Sequence, residues 1–273
     1  MGGGRGIDVV RVLLKAGADV NETVPAEPAR RRGYGGRPPP AGASALLLAV
    51  TNAHYELAAY LLDAGADPNA DLPGYTALHA ITSVRKPGVG DNDPAPEGSG
   101  SMNSLELVKK LVAHGADLNA RMTRRANLSN TRLNEVGATP FMLAALTADA
   151  ELMRALAALG ADPFIPNVDG STPLMAAAGL ASRSPGEDAG TEPEVVEAIQ
   201  AALDLGADIN AVDKIEIWNR TNKFGWTPLA IAVGYRFGNF KPSPETEAAI
   251  REVMIAAGVT PPKTVTAKTQ QIY

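Results

Sequence analysis

The chain has no cysteine. Disulfide scaffolds, thiol catalysis and thiolate-bound zinc or iron–sulfur centres are therefore excluded, although the lack of cysteine does not choose a compartment. Aromatic residues make up only 5%, which is low for a sandwich or barrel core. The longest near-apolar run is about Ala43 to Val50, far short of the roughly 18 residues a membrane span needs. Met1-Gly-Gly-Gly-Arg5 leads into no apolar stretch, so no secretory signal is read there. A net charge of −5 argues against a generic nucleic-acid binder. Catalytic signatures are missing too. There is no His-Glu-x-x-His, no Gly-x-Ser-x-Gly, and no glycine-rich phosphate loop ending in Lys-Ser/Thr. Glu187-Asp188 falls in a loop, where burial cannot tune a carboxylate. His54, His79 and His114 have no second histidine or acid at ligand spacing, so each reads as structural. The expectation is a chain with no enzyme activity, no metal and no cofactor.

What the chain does have is turns and a repeat. With 27 Gly and 21 Pro it is turn-rich, and its 45% hydrophobic residues suffice for a core. Its 273 residues fit two domains or one repeat array. Gly-Ala-Asp recurs at Gly17, Gly65, Gly115, Gly160 and Gly206, and Gly258-Val259-Thr260 reads as a decayed copy. A second signature begins at Gly42, Gly74, Gly137, Gly170 and Gly225, as in Gly74-Tyr-Thr-Ala-Leu-His79 and Gly170-Ser-Thr-Pro-Leu174. Amphipathic segments precede the Gly-Ala-Asp strings, with apolar residues at helical spacing, as in Leu57-Ala-Ala-Tyr-Leu61-Leu62. The threonine can cap a first helix whose N1 proline needs no intrahelical partner. The glycine can adopt the left-handed conformation that stops a second helix. The Asp-x-Asn that follows favours a turn.

With Thr76-Ala-Leu-His79, Thr139-Pro-Phe141, Thr172-Pro-Leu174 and Thr227-Pro-Leu229 alternating with Gly-Ala-Asp, the chain resembles the ankyrin repeat family, whose motifs are Thr-Pro-Leu-His and Gly-Ala-Asp-x-Asn. The resemblance covers most of the chain. It implies an all-α solenoid of helix–turn–helix units, with β-turn fingers along one edge and a concave face made of fingers and first helices. It also implies that His79 hydrogen-bonds between neighbouring fingers. On this reading residues 1–21 are a partial N-terminal repeat and 22–41 a finger insertion. Repeats occupy 42–73, 74–136 (with inter-helix and finger insertions), 137–169, 170–224 (with insertions) and 225–260, and 261–273 is a flexible tail. The start reads as a second helix without its first, which leaves Val9, Val12 and Leu13 without a packing partner and suggests a truncated N-terminus. The closing repeat resembles that of certain bacterial members, some of them exported. Localisation is left open: cytoplasmic by default, periplasmic or exported if a leader precedes the chain.

The spacing departs from the 33-residue period of the family. Successive Gly-Ala-Asp glycines lie 48, 50, 45 and 46 residues apart, and Gly258 follows after 52. Extra residues alternate between fingers and inter-helix loops. Such insertions often map to a binding face, and the alternative is tolerated loop drift. The finger insertions Glu22–Ala41, Arg121–Val136 and Ala211–Phe224 carry net +2, +3 and +1, so the rest of the chain carries −11. A basic finger edge would steer an acidic partner. Lys214-Ile215 opens what reads as a second finger without its own helix pair, consistent with a lost repeat.

Interfaces favour Trp, Tyr and Arg. The candidate partner-binding residues are therefore Arg30, Arg31, Arg32, Arg37, Arg124, Arg125, Arg132, Trp218 and Arg220. The expected function is non-catalytic recognition of a protein partner, an acidic one, by a monomeric scaffold. The alternatives are a structural segment of a longer exported protein and a binder of an anionic ligand, nucleic acid being disfavoured by the net charge.

Overall fold

The computed structural model describes residues 3–25, 41–87, 96–126, 128, 133–179, 190–211, 228–232, 244–256 and 258–263. Eleven helices lie within them and no strand does, apart from an isolated bridge between Thr23 and Ser44. A lone helix, α1 (Gly3–Lys15), comes first. Five pairs follow: α2 (Ala45–Thr51) with α3 (Tyr55–Asp63), α4 (Ala77–Arg85) with α5 (Ser104–Ala113), α6 (Pro140–Leu146) with α7 (Ala150–Ala158), α8 (Pro173–Ala177) with α9 (Glu192–Asp204), and α10 (Pro228–Ala232) with α11 (Pro244–Ala256). First helices pack on first helices from α2 through α10, and second helices on second helices through most of the array. The result is an all-α solenoid, as the repeat pattern implied.

The ends of the helices follow their sequences. Ser44, Thr139 and Thr172 each cap a first helix, their hydroxyls accepting from Leu47 N, Met142 N and Met175 N. Prolines stand at the first turns of α6 and α8, where no intrahelical donor is lost. The Gly-Ala-Asp glycines stop the second helices with φ between 88° and 105°, a conformation that favours glycine. Leucine and alanine fill the stack. Phe141, Met142, Leu107, Leu111 and Leu152 are wholly enclosed, and buried alanines such as Ala80 and Ala144 let the helices approach closely.

The exception is α1, which packs on α3 without a first helix of its own among the described residues. Leu13 stands four residues before Gly17 as Leu61 stands before Gly65. Leu61 is 2% exposed, whereas Leu13 is 52% exposed, and Val9 and Val12 are likewise open. Among the described residues, Val9, Val12 and Leu13 thus stand open to solvent.

His79 ties two repeats together. Thr76 N–H donates to Nδ1 at 3.1 Å, and a main-chain N–H can only donate, so Nδ1 carries no proton. The proton is therefore on Nε2, which donates to Ala138 O of the next finger at 3.2 Å. Burial is the main cause that lowers its pKa from 6.5 to about 4, against hydrogen bonds to Ala138 and Ala120 that raise it.

The inter-helix insertion between α4 and α5 is docked at both described ends, which is more than loop drift requires. Arg85 reaches forward in a fork: Nε donates to Asp149 Oδ2 at 2.6 Å and Nη2 to Asp149 Oδ1 at 3.1 Å. It also donates to Ser104 Oγ and Glu151 Oε2. Burial of Arg85 works to lower its pKa, but these carboxylates outweigh it and raise the pKa. Lys86 reaches one repeat further to Glu194 and lowers that carboxyl to about 2. The other end turns back, where Ser101 donates to Glu56 and Ser99 pairs with His54. Gly98 lies on the left-handed Ala53 of the preceding turn, and a Cβ there would sit 2.5 Å from Ala53 O. The next insertion ends the same way, with Gly190 seated on the left-handed Ala148. Between α5 and α7, which touch little, lies a cleft of about 460 Å³ with Arg85 in its wall.

These links can be tested by pH and by mutation. The unfolded chain binds a proton at His79 below about pH 6.5 and the folded chain only below about pH 4, so stability should fall as pH drops through that window. His79 should contribute a loss of about 2 kcal/mol between pH 7 and pH 5, levelling off below pH 4. Urea midpoints for the wild type and His79→Gln check this, because only the wild type should show the extra slope. Asp149→Ala should cost about 2–3 kcal/mol, because it removes the two-bond partner of part-buried Arg85, which keeps Glu151 and Ser104, and the cap of Leu152 N. Asp149→Asn should recover part of that, because its amide can still cap Leu152 N; thermal melting of the two variants compares them.

Candidate partner-binding surface

Each finger starts from a turn that the sequence makes locally. Asp19, Asp67, Asp117, Asp162 and Asp208 each accept from the main-chain N–H two residues on, at 2.8–2.9 Å. This is the Asx turn expected of Asp-x-Asn. The asparagines then do something the motif alone does not reveal. Asn21 accepts from Asp67 N at 2.8 Å and donates to Gly65 O at 3.2 Å. Asn69 brackets Gly115 O and Asp117 N in the same way, and Asn119 accepts from Asp162 N. A ladder of amides thus joins successive repeats. It is broken where Phe164 stands in place of asparagine, 49% exposed, with its ring end against Gly206. The signal was in the aligned repeats, since the other four copies read Asn21, Asn69, Asn119 and Asn210.

The fingers lean on one another further out. Leu72 lies on Gly42, Arg124 on Gly74 and Val168 on Gly137, each covering the glycine of the preceding finger. These glycines have φ of 82°, 97° and 80°; a Cβ would collide with Leu72 at Gly42 and with Arg124 at Gly74, and at Gly137 with Arg121 while crowding Val168. Main-chain bonds run alongside, from Thr123 N to Gly74 O at 3.0 Å and from Val168 N to Val136 O at 3.1 Å. The described part of the finger insertion at 121–136 is thus built into the array. Buried Glu135 accepts from Ala126 N and Leu128 N, folding the insertion over itself.

Of the nine residues expected to bind a partner, Arg30, Arg31, Arg32, Arg37, Arg132, Trp218 and Arg220 lie outside the described residues, as does Lys214-Ile215. Arg124 and Arg125 are exposed on the same finger. Arg124 also braces the finger before it, since Nε donates to Pro73 O at 2.7 Å and Nη2 to Leu72 O. Arg121, which is not among the nine, donates to Pro166 O at 2.8 Å and is exposed beside Val168. Leu72 and Val168, 62% and 57% exposed, were also missed. Their only signal was a shared place two residues before a finger glycine. His114 sits 3.2 Å from Asp63 at the end of α5, where Lys110 is the main cause that lowers the Asp63 pKa.

Replacing Phe164 with asparagine should restore the missing rung. The expected gain is about 1 kcal/mol, the net worth of one or two hydrogen bonds. Asn69→Ala should lose a similar amount for its two bonds. Denaturant midpoints measure both.

A model of ankyrin repeats matches three copies over residues 99–213, and a single-repeat model matches residues 41–71. No curated protein matches the chain. Ankyrin repeats generally mediate protein–protein interaction, and the family is typically non-catalytic. No helix among the described residues is long and apolar enough to cross a membrane. With paired helices stacked side by side, capped by Ser or Thr, stopped by Gly-Ala-Asp and matched over just over half its length, the chain belongs to the ankyrin repeat family.

Proposed function

We propose that the chain is a non-catalytic recognition scaffold that binds a protein partner through its fingers and concave face. The observation that carries this reading is the fixed placement of the 121–126 finger. Hydrogen bonds to the finger before it and the finger after it hold three exposed arginines, Arg121, Arg124 and Arg125, on one projection. A surface ordered in advance loses little conformational entropy when it binds, so a few side chains can supply the affinity. Arg30, Arg31, Arg32, Arg37, Arg132, Trp218 and Arg220 complete the proposed binding set, and an acidic partner is the complement of its charge.

A pull-down from a lysate of the source organism at two salt concentrations tests this. It compares the wild type with a variant in which Arg30, Arg31, Arg32, Arg125 and Arg132 are changed to Ser. Arg124 is kept because it braces Leu72 and Pro73. The expected result is a discrete protein held by the wild type and lost by the variant, with weaker capture at the higher salt. Equal capture by both would sink the basic-finger reading. Retention of unrelated polyanions with a steep salt slope would replace the protein partner with an anionic ligand.

A further inference from the structure

The three residues that cover finger glycines form a row. Leu72, Arg124 and Val168 stand on three successive fingers, each against the glycine of the finger before it, with Arg121 sharing Gly137 with Val168. All three are exposed. The row therefore reads apolar, cationic, apolar along the axis of the array. The Arg124 guanidinium donates to two main-chain carbonyls and meets no carboxylate among the described residues. Arg121 and Arg125 stand exposed on the same finger, and Glu135 is buried and accepts from Ala126 N and Leu128 N. At the two ends the charge changes sign, because exposed Asp71 adjoins Leu72 and half-buried Asp169, bonded by Asn134, adjoins Val168.

The geometry points to a docking row for an extended peptide segment of a protein partner, with an acidic residue at its centre and an apolar residue on each side. This rests on the proposal that the fingers face a protein partner, and it adds the chemistry and the spacing. Neighbouring packed elements lie about 8–10 Å apart, so Leu72 and Val168 are separated by about 16–20 Å. An extended chain advances about 3.3 Å per residue, so the apolar side chains should lie about six residues apart, with the acid midway. Exposed Asp71, and more weakly half-buried Asp169, disfavour acids at the ends, and the Arg124 guanidinium, which meets no carboxylate among the described residues, favours one at the centre. The glycines are what make the row: with φ of 82°, 97° and 80° and no Cβ, they let Leu72, Arg124 and Val168 come close against the finger before them.

The test is selection from displayed seven-residue peptides in three pools. One carries apolar residues at the first and seventh positions and Asp or Glu at the fourth. The second replaces the central acid with Lys. The third moves the acids to both ends. The first pool should be enriched over the other two. For a peptide taken from it, Leu72→Ser and Val168→Ser should each weaken binding by about tenfold, as expected of anchor residues. Arg124→Glu should abolish binding, while Arg124→Lys, which keeps the charge, should retain it within a few-fold. Thermal melts confirm that each variant is folded. Equal enrichment of the three pools, no enrichment at all, or binding unchanged in folded Leu72→Ser and Val168→Ser overturns the row. A lysate partner captured equally by wild type and the Leu72→Ser/Val168→Ser double variant also overturns it, and leaves the scaffold reading standing.

Discussion

No helix pair in this chain can bury its own apolar surface; each depends on the repeat beside it. A second helix has one flank against its first helix and others against neighbouring repeats, so removing any contact leaves leucine in water. The contrast between Leu61, 2% exposed, and Leu13, 52% exposed, measures that dependence at equivalent positions. Burying a leucine side chain is worth about 1.5–3 kcal/mol, so each missing neighbour weighs on the stability of a whole repeat. Order in the array is a nearest-neighbour property, and polar links settle how one repeat sits on the next.

Those links lie at three levels. At the base of the fingers, asparagine amides join successive turns from Asn21 to Asp162. Within the stack, His79 spans from its own Thr76 to Ala138 of the next finger. At the inter-helix edge, Arg85 and Lys86 run forward over two repeats, while Ser99 and Ser101 run back over one. The 84–104 insertion therefore ties four repeats together at its described ends. Insertions in a repeat array are costly only if their ends cannot find partners. Here the ends supply them, so an insertion that lengthens the period also braces the array.

The finger edge turns the same rigidity towards recognition. Arg124 is held in place by two hydrogen bonds to carbonyls and still presents its charge between two exposed apolar side chains. An arginine in this position is neither a free surface charge nor a buried strut. Its guanidinium has five donors, enough to hold a neighbouring finger and to meet a ligand. A site assembled this way gains precision because its residues are held before a partner arrives.

The fold was legible in the sequence because its punctuation is local. A threonine caps a helix three residues away, an aspartate closes a turn two residues away, and a glycine stops a helix where it stands. Such interactions need no knowledge of the rest of the chain, so the repeats, their helices and the open flank of α1 followed from residue order. The candidate surface was only half legible. Sequence pointed to Arg124 and Arg125 by charge, but not to Leu72, Val168 or Arg121, nor to the glycines beneath them. It read the insertions as either drift or a binding face, whereas Arg85 meets Asp149 across 64 residues. Those pairings exist only after the repeats are stacked. Stacking sets which side chains come face to face across 43 to 108 residues, and spacing along one chain carries no such information once insertions have broken the period.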